Sequence, residues 1–219
     1  MQKVMEFLEE LAKNNNRDWF QQHRAWYEES REKFLFVTDV LIHEIMKFDP
    51  EILPLEPKDC MFRIFRDVRF SKDKRPYKTN FGSYIAKGGR KSSFAGYYIH
   101  LDPFESFVGG GLYMPPSAPL KAIRSYIAEN GEALEEILRQ PLFKKVYPHL
   151  MDDRLKTAPK GYDVNHRFIG LLRYKSFAVT HKLNKKEFFS ERFIENTVLN
   201  LKCLQPFVQY LNNGIEKNM

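Results

Sequence analysis

The spacing of hydrophobic positions predicts helices at the start of the chain. In the first fifty residues, apolar side chains recur every three or four positions, which predicts helices over 2–13, 17–29 and 33–48. The run Asn14-Asn15-Asn16 separates the first two helices and can cap the second, and Asp49-Pro50 ends the third.

The centre of the chain changes to a period of two. Apolar residues alternate along 60–70, and three further candidate strands follow at 80–87, 95–102 and 104–109. Short turn signals separate these strands, which predicts an antiparallel meander. The run Gly109-Gly110-Gly111 closes the stretch, and we interpret it as a β-bulge and turn.

The last third of the chain returns mainly to helical spacing. It predicts helices at 118–129, 131–140, 141–148, 166–173 and 190–212, a strand at 176–183, and a kink or split at Pro206. This order of elements predicts an α+β fold with N-terminal helices, a mainly antiparallel central sheet of about four to six strands, and C-terminal helices with one late strand. We expect a single domain over 1–219.

Composition narrows the class of protein. A chain of 219 residues with 43% hydrophobic residues can bury a sizeable core, and it contains no apolar run long enough for a transmembrane helix and no signal-peptide pattern. Cys60 and Cys203 are too few and too far apart for a disulfide framework or a cysteine-based zinc site, and a reducing cytoplasm fits this usage. The histidines lack metal-ligand spacing and the glycine run lacks the context of a nucleotide-binding motif, so we predict no metal and no cofactor.

The positive charge is concentrated in two internal segments. Residues 58–91, the first basic segment, contain 11 Lys+Arg and 3 Asp+Glu, net +8, and residues 144–186, the second basic segment, have the same counts. The rest of the chain is net acidic, so the overall charge of +7 comes from these segments. Two such blocks on one face would attract anions, whereas the alternative is that they coat separate solvated surfaces.

The first basic segment contains most of the candidate site residues. Period two places Arg63, Asp67 and Arg69 on one face, where the guanidinium groups could bind phosphate or carboxylate while Asp67 holds their geometry. The alternative is a structural ion network. Four nearby residues could hold an anion from one side: Arg66, Lys74, Tyr77 and Lys78. The alternative is that this stretch is only a solvated turn.

The second basic segment contributes further candidates. Pro159 and Gly161 restrict the backbone around Lys160, which indicates a positioned lysine, and Gly161 can expose backbone N–H groups to an anion. His166 can titrate near neutrality. Lys156 and Lys175 complete the set of predicted anion-binding residues, with a capped, solvated loop as the alternative.

Several stretches resemble the family called domain of unknown function 2461. They are NNRDWF at 15–20, FRIFRDVRFSKDK at 62–74, PYKT at 76–79, GYY at 96–98, GGGLYMP at 109–115, APKGY at 158–162 and KSF at 175–177. The resemblance implies a single cytoplasmic domain. The family has no established activity, so it supplies no catalytic residue, but its signature stretches coincide with the two basic segments.

These observations lead to three hypotheses. The first is a module that binds an anionic ligand, either nucleic acid or a phosphorylated small molecule, through a basic face and without a membrane. The second is an enzyme acting on an anionic substrate, with Asp67 or His166 as acid or base. The third is a protein-interaction module that uses the acidic N-terminal helices. We also predict that Arg63, Arg69, Lys78 and Lys160 converge on one concave surface beside the sheet.

Overall fold

A computed structural model describes residues 1–218 of the chain. Over this range it contains ten helices and four strands, and it confirms the α+β fold. In chain order the elements are α1 Gln2–Lys13, α2 Arg17–Gln22, α3 Arg24–Met46, α4 Pro57–Cys60, β1 Phe81–Ala86, β2 Gly96–Leu101, β3 Phe107–Leu112, α5 Ser117–Arg139, α6 Pro141–Val146, α7 Ile169–Leu172, β4 Phe177–Lys182, α8 Lys185–Phe188, α9 Phe193–Lys202 and α10 Gln205–Asn218.

The chain divides into two compact units. The first unit contains residues 1–90, 98–108 and 182–198, and the second contains 91–97, 109–181 and the segment that begins at Leu199. Each unit is therefore assembled from three separate stretches of sequence, and neither is one continuous stretch. The single domain expected over 1–219 stays a prediction.

The four strands form one antiparallel sheet in the order β1-β2-β3-β4. The first three follow one another as the predicted meander, and β4 pairs with β3 after the long connection that contains α5, α6 and α7. Strand β3 lies at 107–112 instead of the predicted 104–109, so the three consecutive glycines are inside the strand. Their interpretation as a terminal bulge and turn was wrong.

Close backbone packing explains the glycines of β3. A Cβ atom at Gly109 would lie 2.1 Å from the carbonyl oxygen of Val179, and one at Gly111 would lie 2.1 Å from that of Phe177. Gly111 also has a φ of 101°, a backbone conformation that residues with a Cβ atom rarely adopt. The three glycines resemble a turn in composition, but here they allow β4 to pack closely against β3.

The N-terminal helices follow the predicted pattern, with one difference in their boundaries. In α1 the predicted stripe of Val4, Phe7, Leu8 and Leu11 is buried, and the Asn16 side chain caps α2 by accepting a hydrogen bond from the Trp19 backbone N–H at 2.9 Å. The helices expected at 17–29 and 33–48 are instead a short α2 and a continuous α3 over 24–46. No proline or glycine lies between 29 and 33, so the helix continues through this stretch.

The alternating stretch 60–70 is not a strand, contrary to the prediction. Its pairing is limited to isolated bridges, and the backbone hydrogen bonds of Ile64 and Arg66 run to Lys78 and Pro76. Pro76 has no backbone N–H, so a regular ladder cannot extend through it. Asp67 and Asp73 accept hydrogen bonds from backbone N–H groups two residues ahead, and such local bonds compete with strand pairing.

The C-terminal helices also differ from the predicted boundaries. Helix α5 joins the two helices expected at 118–129 and 131–140, with non-helical backbone angles at Asn130. The helix expected at 190–212 is split into α9 and α10, and Pro206 lies in the first turn of α10, where a missing N–H has no cost. The Tyr210 hydroxyl donates to the Asn130 carbonyl at 3.0 Å and links α10 to α5.

The packing of β3 makes a testable prediction. Gly109→Ala should lower the free energy of unfolding by about 1–3 kcal/mol or more, because the added methyl group meets backbone that cannot rotate away. Urea denaturation measures this loss. Gly170→Ala is the matched control, since no heavy atom lies within 4 Å of its added Cβ, and it should unfold at the wild-type concentration of urea or above it. Equal effects of the two substitutions would contradict the packing argument.

Candidate anion-binding face

Side chains of β2 alternate between the protein core and a more open face of the sheet. Tyr97, Ile99 and Leu101 are buried, whereas Tyr98 and His100 between them remain partly exposed. Because successive side chains of a strand point to opposite faces, Tyr98 and His100 share one face. This open face belongs to the first unit and brings polar groups next to the first basic segment.

A hydrogen-bonded group of side chains surrounds His100. The Tyr98 hydroxyl lies 3.1 Å from His100 Nδ1, and Asn80 Nδ2 lies 3.4 Å from the same nitrogen. The His100 ring stacks on Phe107 with 4.6 Å between ring centroids. When Nδ1 accepts these hydrogen bonds, the proton of the neutral imidazole is on Nε2, which makes His100 a donor to any ligand on this face.

Burial shifts the pKa of Tyr98 away from its ordinary value. It raises the pKa of the Tyr98 phenol to about 12. The phenol has room because Gly82 on β1 has no side chain, and a Cβ at that position would lie 2.4 Å from the Tyr98 oxygen. Gly82 therefore sets the position of Tyr98, and Tyr98 in turn holds His100.

Lys78 of the first basic segment lies beside this group, and the charge of Arg63 acts on Lys78. The Lys78 ammonium lies 5.5 Å from the centroid of the Phe62 ring, and Phe62 contacts Tyr98 edge to face at 6.2 Å. Partial burial lowers the pKa of Lys78, and the charge of Arg63 lowers it further. We call Arg63, Lys78, Asn80, Tyr98 and His100 the donor cluster.

Among residues 1–218, no carboxylate forms an ion pair with Arg63 or with Lys78. The charge of Arg63 contributes to the lowered pKa of Asp67, but the Asp67 oxygens pair with Arg69. A half-buried ammonium group beside a guanidinium group is unfavourable unless an anion offsets the two charges. The arrangement is therefore suited to receive an anion.

The other cations of this segment are bound to the loop itself. Arg69 forms a two-point ion pair with Asp67, at 2.7 and 3.0 Å, and Arg66 pairs with Asp73 at 2.5 Å. Asp73 also accepts from Arg75, and these guanidinium groups hold the pKa values of both carboxyls below their usual range. Both carboxylates thus neutralise arginines within the loop, as the structural alternative for this motif expects.

Two other predicted residues of the first segment also have structural contacts. The Lys74 ammonium donates to the Val68 carbonyl at 3.0 Å. Tyr77 is buried, stacks on Phe20 at 4.0 Å, and exchanges backbone hydrogen bonds with the Asn15 side chain. Tyr77 therefore anchors the segment to α2.

Residues 144–181 of the second basic segment lie in the second unit, and several cations there hold the backbone. Lys175 forms an ion pair with Asp153, and Arg173 donates to the carbonyl groups of Leu155 and Lys156, both at 2.8 Å. The Lys156 ammonium is exposed, as is that of Lys160, and neither forms an ion pair within the described part of the chain.

Gly161 follows Lys160 in an open turn. Gly161 has a φ of 92°, and the space where its Cβ would lie is open. His166 Nδ1 accepts a hydrogen bond from the Phe168 backbone N–H at 3.1 Å. The convergence of Arg63, Arg69 and Lys78 with Lys160 stays a prediction, and so do the catalytic roles of Asp67 and His166.

The sequence reasoning selected Arg63 and Lys78 but missed the other members of the donor cluster. Tyr98 and His100 lie outside both basic segments, from which the anion-binding residues were predicted. The signal that identifies them is the alternation in GYYIHL, where polar and aromatic side chains occupy every second position of a buried strand. Asn80 precedes β1 and has no signal of this kind.

The fold and this face define an α+β protein in which a basic segment lies against an open, donor-lined side of an antiparallel sheet. The chain belongs to the family described as conserved hypothetical protein (DUF2461), whose model matches residues 3–210. Searches of the curated proteins and of the solved structures found no match.

Residues 1–218 contain neither a membrane-spanning helix nor a metal-binding group of side chains. None of the helices in this range combines the length and the apolar character needed to cross a membrane. Within the same range, no three or more His, Cys, Asp or Glu side chains are grouped so that they could hold a metal ion.

The surroundings of His100 predict its titration. Burial lowers its pKa below the ordinary 6.5, Asp102 and Glu105 oppose this effect, and Lys78 adds to it. Lys78→Met should therefore raise the pKa of His100, as measured by NMR titration of the ring. The contribution of neutral His100 to the free energy of unfolding should be fully present above pH 6.5. It should decrease as the pH falls toward the folded-state pKa, because the unfolded chain takes up the proton first.

The control for this titration is Lys186→Met, which removes an exposed cation elsewhere in the first unit. It should leave the pKa of His100 unchanged. A wild-type His100 that titrates at or above 6.5, or a pKa that ignores Lys78→Met, would contradict the described arrangement.

Proposed function

We propose that this protein is a binding module for a phosphate-bearing ligand, and that the donor cluster is its phosphate site. The observation that carries the proposal is the pair formed by Lys78 and Arg63. Lys78 is half-buried, burial and the charge of Arg63 both lower its pKa, and within residues 1–218 neither residue forms an ion pair with a carboxylate. The ligand is a nucleic acid or a phosphorylated small molecule.

Electrostatics favours an anion at this position. Two like unit charges 4 Å apart repel by about 1 kcal/mol in water and by more where solvent is partly excluded. A bound phosphate group attracts both cations and thereby offsets the repulsion between them. Removal of either cation should therefore weaken binding by more than the loss of a fully solvated charge.

The neutral members of the donor cluster suit the same ligand. When its proton is on Nε2, His100 can donate to a phosphate, and the Asn80 amide keeps a second N–H for the same ligand. The Tyr98 hydroxyl then donates to His100 Nδ1 and holds the ring in place. Phosphate oxygens accept hydrogen bonds from imidazole and amide N–H groups. The Phe62 ring contacts Tyr98 and the Phe107 ring stacks on His100, so both rings restrict the positions of these two side chains.

Added phosphate tests the proposal directly. Inorganic phosphate or tripolyphosphate should raise the melting temperature of the wild-type protein, because a ligand that binds only the native state stabilises it in proportion to RT ln(1 + [L]/Kd). Arg63→Gln and Lys78→Gln should each reduce this shift. Thermal unfolding at constant ionic strength, adjusted with sodium chloride, separates specific binding from general screening.

Lys186→Gln is the control for this measurement, because it removes an exposed lysine in the same unit that lies outside the donor cluster. It should retain the wild-type shift. The proposal fails if tripolyphosphate does not change the melting temperature, or if all three variants respond as the wild type does.

A second measurement tests whether the two basic segments form one site. If Arg63 and Lys160 contact the same anion, Lys160→Gln should abolish the tripolyphosphate shift as Arg63→Gln does. The double variant should then lose no more than either single variant, because residues that contact one ligand are not energetically independent. A wild-type shift in Lys160→Gln would refute the single-site prediction and leave the donor cluster as the phosphate site.

A further inference from the structure

The first basic segment presents aromatic rings to solvent. Phe70 is 97% exposed and Phe65 is 49% exposed, and Phe62 is at 36%. Scattered exposed apolar residues are ordinary on protein surfaces, but these three lie within nine residues of one basic stretch. A ligand that binds this surface therefore meets aromatic rings and positive charges together.

Two of these rings have a cation beside them. The Arg69 guanidinium carbon lies 5.9 Å from the Phe70 centroid, and the Lys78 ammonium lies 5.5 Å from that of Phe62. Rings and positive charges therefore lie next to each other at these two positions of the segment.

The structure holds two of these side chains in place without covering them. Phe65 packs edge to face on Phe20 at 5.9 Å and contacts Tyr77 at 5.5 Å, yet half of it remains exposed. Arg69 is fixed by its two-point ion pair with Asp67, which orients the guanidinium group next to Phe70. A ring held by packing, as Phe65 is, loses little conformational freedom when a ligand stacks on it.

The charge of this stretch indicates a polyanion. Residues 62–78 contain seven Lys+Arg and two Asp, net +5, and both aspartates already pair with arginines of the loop. A ligand with flat rings and repeated negative charges matches both features. In a double helix the base faces are stacked on each other, so only a single strand can offer them to protein rings.

We propose that this segment binds single-stranded nucleic acid, with bases stacked on Phe65 and Phe70 and backbone phosphates held by Arg63 and Lys78. The phosphate contact rests on the proposed function of the donor cluster. The stacking rests on the exposed rings, so the two ideas can fail separately.

Fluorescence anisotropy with a labelled single-stranded oligothymidylate of about 12 nucleotides tests this inference. The wild type should bind it more tightly than a duplex of the same length. Phe70→Leu and Phe65→Leu should each weaken binding by about 5- to 150-fold, since base–aromatic stacking contributes about 1–3 kcal/mol per base. The slope of log K against log salt should become less negative by about 0.7 in Lys78→Gln.

Phe36→Leu is the matched control, because Phe36 is 68% exposed on α3 in the same unit and lies outside the basic segment. It should bind the oligonucleotide as the wild type does. The tripolyphosphate shift in melting temperature should be normal in both Phe→Leu variants of the segment, which shows that they fold and keep the phosphate site.

The outcomes separate the inference from the proposed function. If tripolyphosphate binds but the oligonucleotide does not, or if a duplex binds at least as tightly, the inference is overturned and the phosphate site stands. If the oligonucleotide binds and neither Phe70→Leu nor Phe65→Leu weakens it, stacking is refuted. If neither probe binds, both proposals fail.

Discussion

Burial of one face of β2 is the constraint on which the candidate site depends. Tyr97, Ile99 and Leu101 are in the core, and this sets the register of the strand. A shift of one residue would bury His100 and expose the apolar side chains, at a large cost in free energy. The open face therefore presents Tyr98 and His100 because the other face is apolar.

The close contacts of this face follow from that register. Tyr98 occupies the space above Gly82, and its hydroxyl meets His100, which stacks on Phe107 of the next strand. These contacts join residues of three strands and make the donor group rigid. Lys78 then completes the face through its contact with the Phe62 ring.

The distribution of ion pairs gives the first basic segment its chemical character. Asp67 and Asp73 neutralise arginines of the loop, whereas Arg63 and Lys78 have no such partner among the described residues. Net charge alone cannot distinguish these two groups, because both contribute equally to the sum. The second basic segment divides similarly, with Lys175 and Arg173 holding its backbone and Lys160 exposed.

The amino-acid pattern by itself determined the α+β class, most helices and strands, the charged segments, and Arg63 and Lys78 as candidate residues. These properties are local, since periodicity, proline positions and charge are read along the chain. Contacts between distant residues decided the rest. The glycine run belongs to β3 because β4 approaches it, and 60–70 is irregular because Pro76 cannot donate to its ladder. The i, i+2 spacing in β2 places Tyr98 and His100 on one face, but Asn80 and Lys78 join them only once the sheet has assembled.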